Sequence, residues 1–330
     1  MPTAVTKSAI TQRANAFVNA NQPVAEVLGT RLADVVDDPE AFVSTLLDGL
    51  RSLADPEYLA TQRQVAPGLG ESLGVRLPLL SAVRHRFDRA TRRAHPDSLL
   101  WLANRLLRSS ILEVRVITIG LLTRLLPSDP ERSWQLLRQA ADESADWITV
   151  DILAHAYGAG ILLEPRRWAE IEQLVYSDSP WERRLVGSTI ATIPFVNRTA
   201  GRAPAIAGPS LDIIATLIGD ADPNVQKALS WALRSVALID RNLVAEFCQQ
   251  ETERAVATND GHRSWVIRDA LRALDPQRAG VLRARLDGLR RRPGSPATSQ
   301  AARVAPRFAG LPHVGPTPER RAGIGFGGRP

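Results

Sequence analysis

Five stretches of this sequence share one design, a pair of aromatic, charged or apolar residues running into an apolar stripe at helical spacing. They are LEVRVITIGLL (112–122), DWITVDILAHA (146–156), PWERRLVGSTI (180–190), NVQKALSWALR (224–234) and SWVIRDALRAL (264–274), and they begin 34 to 44 residues apart. A helix that is apolar along one face must bury that face against a neighbour. A pair of such helices with its turns needs about 40 residues, and pairs of this kind hide their apolar faces by stacking. Strand patterns are nearly absent, so the spacing predicts an all-α chain folded as a curved α-solenoid whose second helices line the inner surface.

The period is that of HEAT and armadillo arrays, and apolar residues recur at helical spacing over most of residues 23–290. Three helix starts are marked by a capping residue ahead of a proline: Asp129-Pro130, Ser179-Pro180 and Asp222-Pro223. Two breaks interrupt the pattern, APGLGESLGVRLP (66–78) and NRTAGRAPAIAGP (197–209). The second carries Arg198 and Arg202 and reads either as an exposed insertion or as a basic loop that touches a DNA backbone. These features divide the chain into a loosely ordered N-terminal extension (1–22), a HEAT-like repeat domain (23–287) and a tail (288–330). The tail is rich in Arg, Pro and Gly and reads as disordered.

Charge is unevenly placed. The chain carries +6 overall, but residues 288–330 hold eight arginines against the single acid Glu319, leaving 33 basic and 34 acidic groups in the first 287 residues. A repeat domain of net charge −1 can bind a polyanion only through a segregated basic face. The lone Cys248 excludes an intramolecular disulfide and a cysteine-based zinc site, and reads as a small buried helix residue. No run of eighteen uncharged apolar residues occurs and the first residues alternate polar with apolar, so a cytoplasmic protein with no membrane partner is expected.

The chemistry-bearing residues cluster on the repeated helices. Trp147 and Asp151 lie four apart and so share a helical face; Trp181 and Arg184 lie three apart on the next stretch; Lys227, Trp231 and Arg234 share a face on the one after. Stacked second helices would bring these three faces together.

GVRLP (74–78), LLWLANRLLRSSILEVR (99–115), DWITVDILA (146–154), WERR (181–184), QKALSWALR (226–234) and VIRDALRAL (266–274), taken in this order, resemble the AlkD family. These are HEAT-like-repeat DNA glycosylases that excise cationic alkylpurines, and the resemblance spans roughly residues 58–275. It implies Asp151 as the catalytic carboxylate, Trp147 and Trp231 as aromatic walls, and Arg184 as a phosphate-contacting cation. Arg183, Lys227 and Arg234 would join it in holding phosphates and setting the register. The implied partner is double-stranded DNA carrying N3- or N7-alkylated purines, bulky adducts included, bound by a monomer on an open face with no enclosing pocket.

No glycine-rich phosphate loop, HExxH or serine or cysteine nucleophile motif is present, so neither a cofactor nor a metal is expected. Trp181 reads as structural. His155, one further turn along the face of Asp151, reads as a structural histidine or as a group that tunes the carboxylate. The rival reading is a catalytically silent HEAT-like module that binds DNA or a protein partner.

Overall fold

The computed structural model describes residues 7–66 and 68–307. These residues form α1 (Lys7–Asp34), α2 (Pro39–Ser52), α3 (Pro56–Val65), α4 (Leu77–Ala90), α5 (Pro96–Leu106), α6 (Leu112–Leu125), α7 (Pro130–Asp142) and α8 (Trp147–Leu163). The chain continues through α9 (Trp168–Leu174), α10 (Pro180–Val196), α11 (Ala207–Leu217), α12 (Pro223–Val236), α13 (Arg241–Thr258), α14 (Gly261–Ala270), α15 (Pro276–Arg285) and α16 (Gln300–Val304). Among the described residues there is no strand, only an isolated antiparallel bridge between Ala54 and Val75. None of their helices is long and apolar enough to cross a membrane.

The helices form two layers, as the repeat predicts. Successive inner helices α4, α6, α8, α10, α12 and α14 pack side by side, and α5, α7, α9, α11, α13 and α15 back them. The five repeated stretches are five consecutive inner helices. The fold is an all-α solenoid. Its middle is the most tightly joined part, because α10 packs extensively on both α8 and α12. Gly187 allows the second contact: a Cβ there would sit 2.9 Å from the Cβ of Ala228. Residues 184–194 of α10 are buried without interruption, so this helix forms the floor between its neighbours.

Local chemistry sets the element boundaries. Asp129 accepts from the Arg132 amide at 3.1 Å and Asp222 from the Asn224 amide at 2.7 Å, as expected of capping residues ahead of a proline. Ser179 departs from this expectation and makes no side-chain cap. Its own N–H instead donates to Ser177 Oγ, whose hydroxyl is held by Glu182. The break at 66–78 is organised by Glu113 in the first turn of α6, which is fully buried. Its carboxylate accepts from the amides of Leu73, Gly74 and Val75 at 2.8–3.1 Å and from Ser72 Oγ at 2.9 Å.

Both ends differ from the sequence-based division. The expected boundary at 22/23 falls inside the continuous α1, which packs along α4. Pro23 lies within this helix without ending it. Residues 1–6 lie outside the described residues. Residues 288–307 of the expected disordered tail follow a defined path along the stack, held by hydrogen bonds and the buried Ser299 and Ala301. Residues 308–330 lie outside the described residues. The break at 197–209 closes onto the end of α10 through two short 3-10 turns. There Arg202 Nε donates to the Pro194 carbonyl at 3.2 Å, while Arg198 stays exposed. Cys248 is fully buried, and burial pushes its thiol up to about 12.

Candidate active site

The first turn of α8 is fixed by Asp146, buried, whose carboxylate caps the Thr149 amide at 2.8 Å and accepts from the Thr149 hydroxyl at 2.7 Å. Asp151, one turn beyond Trp147, faces α10. Arg184 meets it there in a fork, with Nε to Oδ1 at 3.1 Å and Nη2 to Oδ2 at 2.7 Å. Ser188, one turn along α10 from Arg184, donates its hydroxyl to Oδ1 at 2.7 Å. The remaining bonded nitrogen of Arg184, Nη1, reaches the Asn224 carbonyl in the first turn of α12 at 2.9 Å. One guanidinium thus joins three consecutive inner helices.

The burial of this pair is graded. The Arg184 side chain is 7% exposed and that of Asp151 21%, so the cation lies beneath and the carboxylate faces out. The pair is neutral as a unit but forms a dipole whose negative end points toward solvent. Oδ1 accepts two hydrogen bonds and Oδ2 only one, which leaves Oδ2 with spare acceptor capacity. Trp147 flanks the pair, with the Arg184 guanidinium 6.0 Å from its ring centre. Trp147 is partly buried without packing on the hydrophobic core, whereas Trp181 and Trp231 both pack against that core. This fits the structural reading of Trp181. Trp231 lies on the α12 stripe Asn224, Lys227, Trp231 and Arg234, seven residues beyond the carbonyl that Arg184 holds.

The expected phosphate contacts separate into two kinds. Lys227 is exposed and has no ion-pair partner among the described residues. Arg183 and Arg184 are engaged within the protein. Arg183 donates to Asp220 at 2.7 Å and to the carbonyls of Ser177 and Asp178, tying the turn before α10 to the turn before α12. Arg234 forms a short ion pair with Asp269 on α14 and lies 3.3 Å from Ser230 Oγ, and burial holds it below the usual guanidinium range. His155 is exposed on the face of Asp151. The surrounding protein lowers its pKa below the ordinary imidazole value, and the Asp151 charge opposes that shift.

Sequence reasoning missed Ser188, the Asn224 carbonyl and a second cluster on α12 and α14. In that cluster Ser230 Oγ donates to Asp269 Oδ2 at 2.7 Å, Arg272 lies 3.2 Å from the same carboxylate, and Trp265 precedes Asp269 by four residues, as Trp147 precedes Asp151. The W-x-x-x-D spacing was the available signal, present twice in the sequence. Among the described residues no group of three or more His, Cys, Asp or Glu side chains is placed to hold a metal ion.

An inner layer carrying ion-paired carboxylates and tryptophans defines the chain as a helical-repeat protein. A profile of the DNA alkylation repair enzyme family matches residues 46–274, more than two thirds of the chain, and the chain belongs to that family. DNA alkylation repair is therefore its activity and DNA its partner. No curated protein matches it.

Proposed function

We propose that this protein is a monofunctional DNA glycosylase that hydrolyses the N-glycosidic bond of cationic N3- or N7-alkylated purines in duplex DNA. The observation that carries this reading is the Asp151–Arg184–Ser188 cluster beside Trp147, with its carboxylate outermost. An alkylated purine already bears a positive charge, so it leaves well. The bond from C1′ to the base breaks with its electron pair moving to the purine, which becomes neutral, and the sugar passes through an oxocarbenium-like cation. Water then adds to C1′ and gives up one proton, leaving an abasic site.

Asp151 stabilises the cationic sugar electrostatically, and its less occupied Oδ2 orients the attacking water. Arg184 and Ser188 hold the carboxylate fixed before substrate arrives, so little reorganisation accompanies the reaction. Arg184 thereby acts by positioning Asp151, with Arg183 fixing the start of its helix. Indole faces attract cations, each worth about 0.5–2 kcal/mol, and Trp147 and Trp231 supply two of them. Lys227 contacts the phosphate backbone. The carboxylate lies on an open face, so bulky adducts are accepted and lability of the cationic bond provides the selectivity.

Release of 7-methylguanine and 3-methyladenine from methylated duplex DNA tests this reading, with Asp151→Asn as the isosteric variant. We expect release by the wild type and a loss of about 10²–10³-fold in Asp151→Asn under single-turnover conditions. A folded, DNA-binding wild type that releases neither simple nor bulky lesions defeats the glycosylase reading in favour of a silent binding module. Undiminished release by Asp151→Asn defeats the site assignment.

A further inference from the structure

Residues 289–304 lie beyond the family span and form a strap along the edge of the stack where the inner helices begin. The strap runs backward through the repeats. Arg290 passes so close to α14 that a Cβ at Gly261 would lie 2.2 Å from its carbonyl oxygen. Arg291 stacks its guanidinium 5.0 Å from the ring centre of Trp265 on α14 and donates from Nη1 to Gln226 Oε1 on α12 at 2.9 Å. Gln226 is itself fully buried and donates to the Asp220 carbonyl at 2.6 Å. Ser295 meets the ring of His262, whose other nitrogen lies 3.0 Å from the Gln226 amide. The Thr298 amide then bonds the Gly219 carbonyl at 2.9 Å, and the strap ends as α16 against α11.

This path delivers charge to one edge. Arg290, Arg291 and Arg292 are all exposed, and Lys227 follows Gln226 in sequence. From Pro276 to Arg307 the chain holds eight arginines and the single acid Asp287. The nearby carboxylates do not cancel them. Asp260 is engaged by Arg263 and Thr298, Asp222 caps α12, and Asp287 meets Arg290 only across a 3.5 Å pair that is exposed on both sides. Arg291 carries the anchoring contacts, and Arg290 and Arg292 flank it in sequence as exposed residues. Three consecutive exposed arginines whose middle member is fixed by a buried glutamine and a tryptophan suit the phosphates of a duplex.

We propose that Arg290, Arg291 and Arg292, held by this strap, form a second DNA-binding edge that grips the backbone of duplex DNA whether or not a lesion is present. It rests on the glycosylase reading only in taking DNA as the partner. The test is binding of an undamaged, fluorescently labelled duplex by the full chain across a series of salt concentrations. Each phosphate contact contributes about 0.9 to the slope of log affinity against log salt. Replacing all three arginines by glutamine is expected to lower that slope by about 2–3 and the affinity by about tenfold or more, while three lysines in their place retain most of the slope.

Arg290→Gln with Arg292→Gln removes only the unanchored pair, so folding is preserved and the slope falls by about 1–2. An unchanged slope in this folded pair variant overturns the proposal, as does a wild type that binds no duplex. Loss of slope in a protein that releases no base upholds the strap and defeats the glycosylase reading. Base release with an unchanged slope does the reverse.

Discussion

Asp151 and Asp269 stand in matching surroundings with opposite electrical outcomes. Each follows a tryptophan by four residues on an inner helix. Each accepts from a serine and an arginine that lie four apart on the neighbouring inner helix. Around Asp151 one arginine engages both oxygens from below, so the cluster is neutral and its carboxylate faces out. Around Asp269 two arginines share one carboxylate, and Arg291 stacks on Trp265. That cluster is net positive. The same parts therefore give a neutral cluster with an outward carboxylate in the middle of the stack and a net positive one near its end.

The comparison breaks most readily at the carboxylates. Asp151→Ala removes the outward negative charge and also leaves Arg184 buried without its partner, so stability falls by about 3–5 kcal/mol along with activity. Asp151→Asn keeps the shape but also removes the countercharge and turns an amide N–H₂ toward the guanidinium fork, so it loses stability too, and its excision rate is compared with the wild type at a temperature where both are folded. Asp269→Asn removes the acid shared by Arg234 and Arg272, so it is expected to raise duplex affinity at low salt and to change excision by less than about fivefold. Excision rates in the reverse order would show that Asp269 is the acting carboxylate.

The serines refine the contrast. Ser188→Ala removes one hydrogen bond to Asp151, worth about 0.5–1.5 kcal/mol in a neutral pair and more to a charged acceptor. A drop in excision rate of about 5- to 30-fold is expected, with substrate affinity nearly unchanged. Ser230→Ala should shift duplex affinity by less than about threefold, since Arg234 and Arg272 still hold Asp269. Equal rate losses in the two serine variants would erase the distinction between the clusters.

His155 supplies the smallest and most conditional effect. Its lowered pKa keeps it neutral near neutral pH, so His155→Gln should change excision there by less than about twofold. As pH falls below the ordinary imidazole value the wild-type ring gains a proton beside Asp151 and weakens the field at the sugar. The acid limb of the pH–rate profile is therefore expected to be steeper in the wild type than in His155→Gln. The same shift has a stability counterpart: the unfolded chain binds this proton more readily, so the contribution is complete above the ordinary histidine pKa and is lost as pH falls toward the lowered one.

The inner layer was legible because apolar periodicity repeats five times, and buried stripes leave a strong pattern. Trp147 and Asp151 were legible because helical spacing alone puts them on one face. Ser188 was not, since it sits in the run GSTIAT, where every residue looks like packing. Arg184 was found through the family resemblance, but its burial and its fork on Asp151 depend on how deeply α10 sinks between its neighbours, which no local pattern encodes. The strap escaped detection because composition registers apolar burial. This segment is held instead by Thr298, Ser295, Arg291 and two small buried residues, each meeting a single fixed partner.

Arg184 connects α8, α10 and α12 through one planar group, and the consequence is mechanical. A solenoid accommodates a rod-like partner by changing the angles between its repeats, and here three successive repeats converge on a single guanidinium. Any flexing at this joint moves Asp151 with it. The position of the carboxylate is thereby tied to the angles between three successive repeats.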